Sequence, residues 1–161
     1  MRWIWIDKFT AFESGRRATA LKNVSLAEEH LHDHFPGYPV MPASLIIEGM
    51  AQTAGILVGE ARGFQEKVIL AKVKRATFHR EVRPGQQITY DASIDQVSAE
   101  AAVTSGLATV DGEPLAEIDI VFSHIDNNLS GLDFPEENFV FTEDFKSLLR
   151  TYNVNPAQPA P

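Results

Sequence analysis

Two side chains in the first third of the sequence, His34 and Glu48, have the chemistry of general acid–base catalysis. His34 begins a proline-rich turn, whereas Glu48 lies within an apolar stretch that a helix would bury. Histidine titrates near neutral pH, and burial in general favours the acid form of a carboxyl group, so such a pair can exchange protons with a substrate. On spacing alone, a catalytic pair and two ordinary polar side chains remain equally acceptable interpretations.

The turn after His34 is stiff. Three prolines and a glycine occur between residues 36 and 42, and proline fixes φ and removes a backbone donor. His34 is therefore held in place, unlike His30 and His32, whose polarity a surface position explains. The three histidines alternate, so an extended segment would place them on one face as metal ligands. The sequence shows no fourth ligand, and we predict no metal site.

The apolar stretch after the turn predicts a long buried helix. Apolar residues occur on nearly every side of it from Pro42 to about Gly63, so other structure must surround it. Ser44, Glu48 and Gln52 are spaced by four residues, which places the Gln52 amide beside the Glu48 carboxyl on one thin polar line. Small residues that let strands approach closely also occur along the helix: Gly49, Ala51, Ala54, Gly55 and Gly59.

Strand-like segments occur on both sides of this helix in the sequence. Asp111-Gly112, between the last two of them, is a strong signal for a two-residue hairpin. One long helix among antiparallel strands predicts an α+β domain whose curved sheet wraps the helix. The alternating segments are residues 3–12, 16–24, 68–82, 87–97, 101–110 and 115–122.

Composition and charge exclude several classes of protein. The chain has 161 residues, 44% of them hydrophobic, which suffices for one domain with a sizeable core. It has no cysteine, so thiolate nucleophiles and disulfides are excluded, and its net charge of −8 disfavours nucleic acid as a partner. Glu48, Gln52 and Glu60 interrupt the longest apolar run, and Asp7 follows the first one closely. We therefore expect neither a membrane span nor a signal peptide, and a cytoplasmic protein.

The regular pattern of apolar residues ends near Ile125. Beyond it, Thr142 begins a capped-helix pattern that ends near Tyr152, with Phe145, Leu148 and Leu149 available to dock on the main body. The last residues are rich in proline and alanine and are expected to be disordered. The chain thus divides into a domain at 1–124, a docking extension at 125–152 and a tail at 153–161.

The central motifs resemble those of the 3-hydroxyacyl-acyl-carrier-protein dehydratases of fatty-acid synthesis. The matching motifs are a His-Phe-Pro-Gly turn at 34–37, a Pro-Val-Met-Pro connector at 39–42 and a Glu-x-Met-Ala-Gln helix at 48–52. The resemblance extends more weakly over residues 3–122. It implies the hotdog fold and a homodimer whose sheets join edge to edge, with His34 of one protomer facing Glu48 of the other. A trimer of dimers stays open as a higher assembly.

The same resemblance implies the dehydration of (3R)-hydroxyacyl thioesters on acyl carrier protein to trans-2-enoyl thioesters. His34 is then the base for the C2 proton and Glu48 the acid or water-positioning group, while the Val40 carbonyl orients the imidazole. Backbone N–H groups at the helix start bind the thioester oxygen. Gly37 and Gln52 complete the positioning residues. No metal or organic cofactor is implied beyond the phosphopantetheine arm that carries the substrate.

Two departures from the family pattern leave alternatives open. Ala43 stands where the family usually has glycine: with a negative φ it still donates its N–H, whereas a site that needs glycine's conformations would be altered. The extension after Ile125 is the second departure. These departures leave a non-catalytic acyl-binding subunit as one alternative. A hotdog thioesterase is a second alternative, which the intact His-Phe-Pro-Gly motif disfavours. By the same resemblance, glutamate rather than aspartate at position 48 implies dehydration without isomerisation of the double bond.

Positive charge is concentrated between Lys67 and Arg83 of this acidic chain. A solvated strand face is the simpler interpretation. The resemblance adds a second one, because acyl carrier proteins are acidic and bind to positive patches. The candidate docking residues are Lys72, Lys74, Arg75, Arg80 and Arg83.

Overall fold

The fold consists of an antiparallel sheet packed on one long helix. The computed structural model describes residues 3–125 and 135–151, so the tail predicted at 153–161 lies outside the described residues. The six strands of the sheet follow the order β1-β2-β4-β5-β6-β3 within the described residues. In chain order the elements are β1 (Lys8–Glu13), β2 (Arg17–Asn23), α1 (His30–Asp33), α2 (Ala43–Glu60), β3 (Val68–Phe78), β4 (Gln87–Val97), β5 (Ala101–Val110), β6 (Glu113–His124) and α3 (Glu143–Thr151).

Helix α2 lies across the sheet and contacts β2, β3, β4, β5 and β6. Every residue from Gly49 to Glu60 is buried, as the apolar pattern predicted. The small residues allow this contact: the Tyr90 ring occupies the space that a side chain on Gly49 would need, and a Cβ on Gly55 would lie 3.1 Å from Phe122. Within the described part of the chain, no helix is long and apolar enough to cross a membrane.

The predicted strand faces are confirmed where alternation is clear. Ile88, Tyr90 and Ala92 of β4 point to the core, and neighbouring residues of β4 are more exposed. The β5–β6 turn is formed by Asp111 and Gly112, whose φ angles of 55° and 79° are those of a type I′ hairpin. The α+β architecture inferred from the sequence is therefore the one observed.

Three predicted boundaries differ from the structure by three residues or more. β1 begins at Lys8 rather than residue 3, because the backbone of Trp3 and Trp5 is hydrogen-bonded to a side chain of α2 instead of to a strand. Helix α2 ends at Glu60, where the backbone turns and Phe64 N–H donates to the Gly59 carbonyl. β3 ends at Phe78, four residues earlier than the alternating pattern suggested.

The histidine-containing segment also differs from its prediction, because residues 30–33 form the short helix α1 rather than a loop. In a helix, residues two apart point in nearly opposite directions, so His30 and His32 do not share a face. His32 is hydrogen-bonded to the Leu26 carbonyl at 2.9 Å. The extended geometry that three histidines would need to converge on a metal is therefore not the one observed.

The end of the described chain, residues 138–151, is called the C-terminal segment below. It contains α3, whose first turn is capped by Thr142: Phe145 N–H donates to the Thr142 hydroxyl at 3.4 Å. Phe141, Phe145 and Leu149 are buried in the same core as α2 and the sheet.

Candidate active site

Backbone groups of the turn hold the His34 ring. His34 Nδ1 lies 2.9 Å from the Val40 carbonyl oxygen, and Val40 N–H donates to the His34 carbonyl at 2.9 Å. A carbonyl oxygen can only accept, so Nδ1 carries the hydrogen and Nε2 of the neutral imidazole has a free lone pair. The ring is half-buried and stacks on Phe35 at 4.2 Å between centroids. His34 thus presents Nε2 as a base in a fixed orientation.

Gly37 allows the turn to close. Phe35 N–H and the Tyr38 carbonyl are 3.0 Å apart, and Tyr38 N–H returns to the Phe35 carbonyl at 2.8 Å. Gly37 between them has a φ of 74°, a conformation that side chains rarely adopt. Gly37 therefore lets the backbone of this turn close.

The Glu48 carboxyl is oriented by Gln52, one turn later on α2. Gln52 Nε2 donates to Glu48 Oε1 at 2.7 Å and to the Trp3 carbonyl at 3.1 Å. Gln52 Oε1 accepts from Trp5 N–H at 2.7 Å, so the amide cannot turn over without losing these bonds. Glu48 itself is half-buried, whereas Gln52 is fully buried. The sequence predicted the Gln52–Glu48 contact. It did not predict that the Trp3 and Trp5 backbone holds Gln52, because no side-chain pattern indicates a backbone hydrogen bond.

The start of α2 faces solvent. Ala43 is the first residue of the helix and is exposed, after Pro42 with φ of −57°. Ala43 is not among the described residues with a positive φ. The first N–H groups of a helix have no acceptor within it and carry partial positive charge. Ala43 therefore has a backbone conformation that does not require glycine, and it keeps its N–H.

An apolar cavity of about 150 Å³ opens beside Glu48. The face of α2 from Glu48 to Gly55 forms one wall. Val68, Leu70 and Phe122 of the sheet, with Val140 and Phe141 of the C-terminal segment, form the rest. The two last residues were not predicted to contribute to the site, because only tertiary packing brings them there.

The two candidate catalytic residues are not joined within one chain. His34 is not among the residues that line the cavity beside Glu48, and no hydrogen bond connects their side chains among the described residues. Among the described residues the sheet has β1 and β3 at its edges. β3 pairs with β6 on one side, and its residues are mostly exposed. This free edge is of the kind that pairs with a second chain.

The predicted basic patch is divided by the fold. Arg75 is paired with Glu117 and Asp119 across β6 at 3.2 and 3.0 Å. Arg83 lies 3.9 Å from the Tyr38 ring centroid, next to the turn that carries His34. Three further candidates are exposed, namely Lys72, Lys74 and Arg80. Arg83 is thus placed against the turn, where it also pairs with Glu81 at 3.5 Å.

A charged pair supports the N-terminal side of the site. Lys22 Nζ is 2.6 Å from Glu28 Oε1 and lies 4.7 Å from the Trp5 ring centroid. Burial alone would raise the pKa of Glu28, but hydrogen bonds from Lys22 and the Ser25 N–H, with the Lys22 charge, outweigh it and lower the pKa. Lys22, Glu28 and Trp5 therefore form one packed unit beneath the backbone that holds Gln52.

The sequence is similar to a known family over most of its length. Residues 3–119 match the FabA-like domain. The chain is 39% identical over 122 residues to the 3-hydroxyacyl-[acyl-carrier-protein] dehydratase FabZ of Oceanobacillus iheyensis, covering 75% of this chain and 87% of that protein. It is 38% identical to FabZ of Pelotomaculum thermopropionicum, again over 122 residues, 75% of this chain and 87% of that protein.

Solved structures agree in fold. The dehydratase heterocomplex ApeI:P from Xenorhabdus doucetiae superposes with a TM-score of 0.63 at 14% identity, over 75% of this chain and 82% of that chain. At so low an identity, this likeness shows only that the two chains share a fold. The hotdog fold that the sequence motifs implied is thereby confirmed.

Proposed function

The chain belongs to the FabA-like domain family, and from this we propose that it dehydrates (3R)-hydroxyacyl thioesters on acyl carrier protein to trans-2-enoyl thioesters. The observation that carries this proposal is the fixed His34 ring, whose Nε2 is free to accept a proton because Nδ1 donates to Val40. Glu48, held by Gln52 at the mouth of an apolar cavity, supplies the second proton-transfer group.

The elimination needs one proton removed and one delivered. His34 Nε2 takes the proton from C2, and the electron pair of that C–H bond forms the C2–C3 double bond. The C3–O bond breaks, and the hydroxyl leaves as water after Glu48 donates a proton to it. The second Glu48 oxygen remains available for this role because Gln52 bonds to Oε1.

The thioester carbonyl needs donors, since negative charge develops on its oxygen when the C2 proton leaves. We assign this role to the N–H groups at the start of α2, beginning with Ala43, where the partial charge of the helix terminus has the right sign. Ala43 adds one methyl group beside this position relative to the family's glycine. No metal or organic cofactor takes part in this scheme.

A complete site requires two copies of the chain. Among the described residues no hydrogen bond joins His34 to Glu48 within one chain, and β3 offers a free edge for antiparallel pairing with its counterpart. We therefore assign His34 of one protomer and Glu48 of its partner to the same site, as isologous pairing in a two-fold dimer allows. A trimer of such dimers remains an open higher assembly.

The carrier protein is the second partner. Exposed cations on β3 and Arg83 beside the His34 turn give an acidic carrier a positive approach to the site. Arg83 is the foremost candidate for a docking residue because it stacks on Tyr38, which lies three residues after Phe35 in the turn. Lys72, Lys74 and Arg80 would add to long-range attraction rather than to a single contact.

The products of one reaction test this proposal. Purified protein is incubated with a 3-hydroxybutyryl thioester of acyl carrier protein, and the enoyl thioester and free thiol are both measured. A dehydratase gives enoyl thioester and no thiol. Release of free thiol would show a thioesterase instead, and binding with recovery of unchanged substrate would show a non-catalytic acyl-binding subunit.

A further inference from the structure

The cavity beside Glu48 follows one face of α2 towards the C-terminal segment. Glu48, Ala51, Gln52 and Gly55 line it and are spaced as neighbours on one side of a helix. The next position on that face, Gly59, is covered by the ring of Phe141. The cavity therefore has an end that contains the proton donor and an end that Phe141 closes.

The Phe141 ring is seated in a space that only glycine leaves. A Cβ on Gly59 would lie 2.5 Å from Phe141 Cζ, too close for two carbon atoms. Phe64 packs against the ring at 4.9 Å between centroids. Phe141 is only 2% exposed, so its position is set by packing.

One side chain, Asn138, fastens the segment in this position. Its amide nitrogen donates to the carbonyl oxygens of Phe64 and Glu66 at 3.1 and 3.2 Å. Its oxygen accepts from the N–H groups of Val140 and Phe141 at 3.1 and 2.9 Å. The two residues that line the cavity are thus tied directly to the turn that follows α2.

We propose that Val140 and Phe141 form the closed end of the acyl site and restrict the enzyme to short and medium acyl chains. This inference rests on the proposed dehydratase function. Its basis is the cavity volume of about 150 Å³, since an apolar cavity of that size in another protein holds a benzene molecule. By that measure roughly six carbon atoms fit beyond the reacting carbons.

A chain-length series tests the proposal. The wild-type protein and variants receive 3-hydroxyacyl thioesters from butyryl through octanoyl and dodecanoyl to hexadecanoyl, and kcat/KM is measured for each. The wild type should turn over the hexadecanoyl substrate at least about tenfold less efficiently than the octanoyl one, as a closed apolar pocket rejects added methylene groups. Phe141→Ala should reduce or abolish this discrimination.

Two residues of the same segment provide matched controls. Leu149→Ala also removes a buried side chain, but Leu149 does not line the cavity. Phe139→Ala removes an aromatic ring that is 46% exposed. Both control variants should keep the wild-type ratio of octanoyl to hexadecanoyl turnover. A ratio that changes equally in Leu149→Ala and Phe141→Ala would overturn the proposal, because general loosening of the segment would then explain it.

A binding measurement separates this inference from the proposed function. Calorimetry with saturated acyl-coenzyme A thioesters of the same lengths reports the cavity without any chemistry. The wild type should bind the hexadecanoyl thioester weakly, and Phe141→Leu should bind it more tightly. This result supports the closed end even if no substrate is dehydrated. Equal affinity of the wild type for octanoyl and hexadecanoyl thioesters contradicts it, whether or not the butyryl substrate is turned over.

Discussion

The two ends of helix α2 are built in different ways. At the N-terminal end, hydrogen bonds to backbone groups orient the reactive side chains: Val40 fixes His34, and Trp3 and Trp5 fix Gln52. At the C-terminal end, packing determines the geometry, with the Phe141 ring seated on Gly59. Proton transfer calls for the first kind of construction, and the substrate boundary that we propose calls for the second.

The difference follows from what each end must control. Proton transfer requires lone pairs aimed within a narrow range of angles, and hydrogen bonds are directional. A limit on chain length requires only that space is filled, and van der Waals contact is not directional. Substitutions at the first end should therefore change rate constants, and those at the second end should change stability and substrate range.

The largest effect is expected for His34→Ala. Removing the base should lower kcat for the butyryl substrate by about a hundredfold to ten-thousandfold. The melting temperature should change little, since the ring is half-buried and is held by a hydrogen bond to the Val40 carbonyl. Turnover assays and thermal unfolding measure the two quantities. Retained kcat in this variant would exclude His34 as the base.

Gln52→Leu should have the next largest effect on rate. The variant keeps the volume but loses the bond to Glu48, which is uncharged when it acts as the proton donor, and a hydrogen bond between uncharged groups contributes about 0.5–1.5 kcal/mol. We expect kcat to fall by about twofold to tenfold with a smaller change in KM, because Gln52 positions a reacting group.

Thr53 offers the matched control for Gln52. It is the next residue of α2, equally buried, and its hydroxyl donates to the Gly49 carbonyl within the helix at 2.8 Å. Thr53→Ala should lower stability and leave kcat near the wild-type value. A similar loss of kcat in both variants would show that helix packing, rather than the Gln52 bond, controls the rate.

Gly59→Ala probes the opposite end of the helix. The added methyl group collides with Phe141 and should lower the free energy of unfolding by about 1–3 kcal/mol, while kcat for the butyryl substrate stays close to normal. Chemical denaturation measures the loss. The double variant Gly59→Ala/Phe141→Leu should recover part of the lost stability. A loss in the double variant equal to the sum of the losses in the two single variants would show that the two positions do not interact.

The smallest effect concerns pH. The lowered pKa of Glu28 means that its pairing stabilises the fold fully above the usual value of 4.5, and the contribution is lost as pH falls through the lower pKa of the folded state. Glu28→Gln should therefore be less stable than wild type by about 1 kcal/mol at neutral pH. The difference should shrink in acid, and a difference that is constant from pH 7 to pH 3 would exclude this pair as its source.

Much of the arrangement at the N-terminal end of α2 could be predicted from the sequence. Proline spacing indicated a rigid turn at His34, and helical spacing placed Gln52 beside Glu48, because both are local features of the chain. Strand alternation also gave β4 and β5 their observed bounds, Gln87–Val97 and Ala101–Val110. Local periodicity is thus sufficient where neighbours in sequence are neighbours in structure.

The packing at the C-terminal end of α2 could not be predicted, because it joins residues that are distant in the sequence. Gly59 and Phe141 are far apart in the sequence, and no spacing rule connects a helical glycine with an aromatic ring in a distant segment. The backbone bonds of Trp3 and Trp5 were missed on similar grounds, since their strand-like pattern concealed a different hydrogen-bond partner. The division of the basic patch likewise depends on which faces of β3 the fold exposes.

Complementation between two inactive variants tests the composite site most directly. His34→Ala and Glu48→Gln chains are coexpressed with different tags, and the mixed dimer is isolated and assayed with the butyryl substrate. One of its two sites then contains His34 from one chain and Glu48 from the other, so about half of the wild-type activity per dimer should return. A mixed dimer as inactive as either parent would contradict a site shared between two chains.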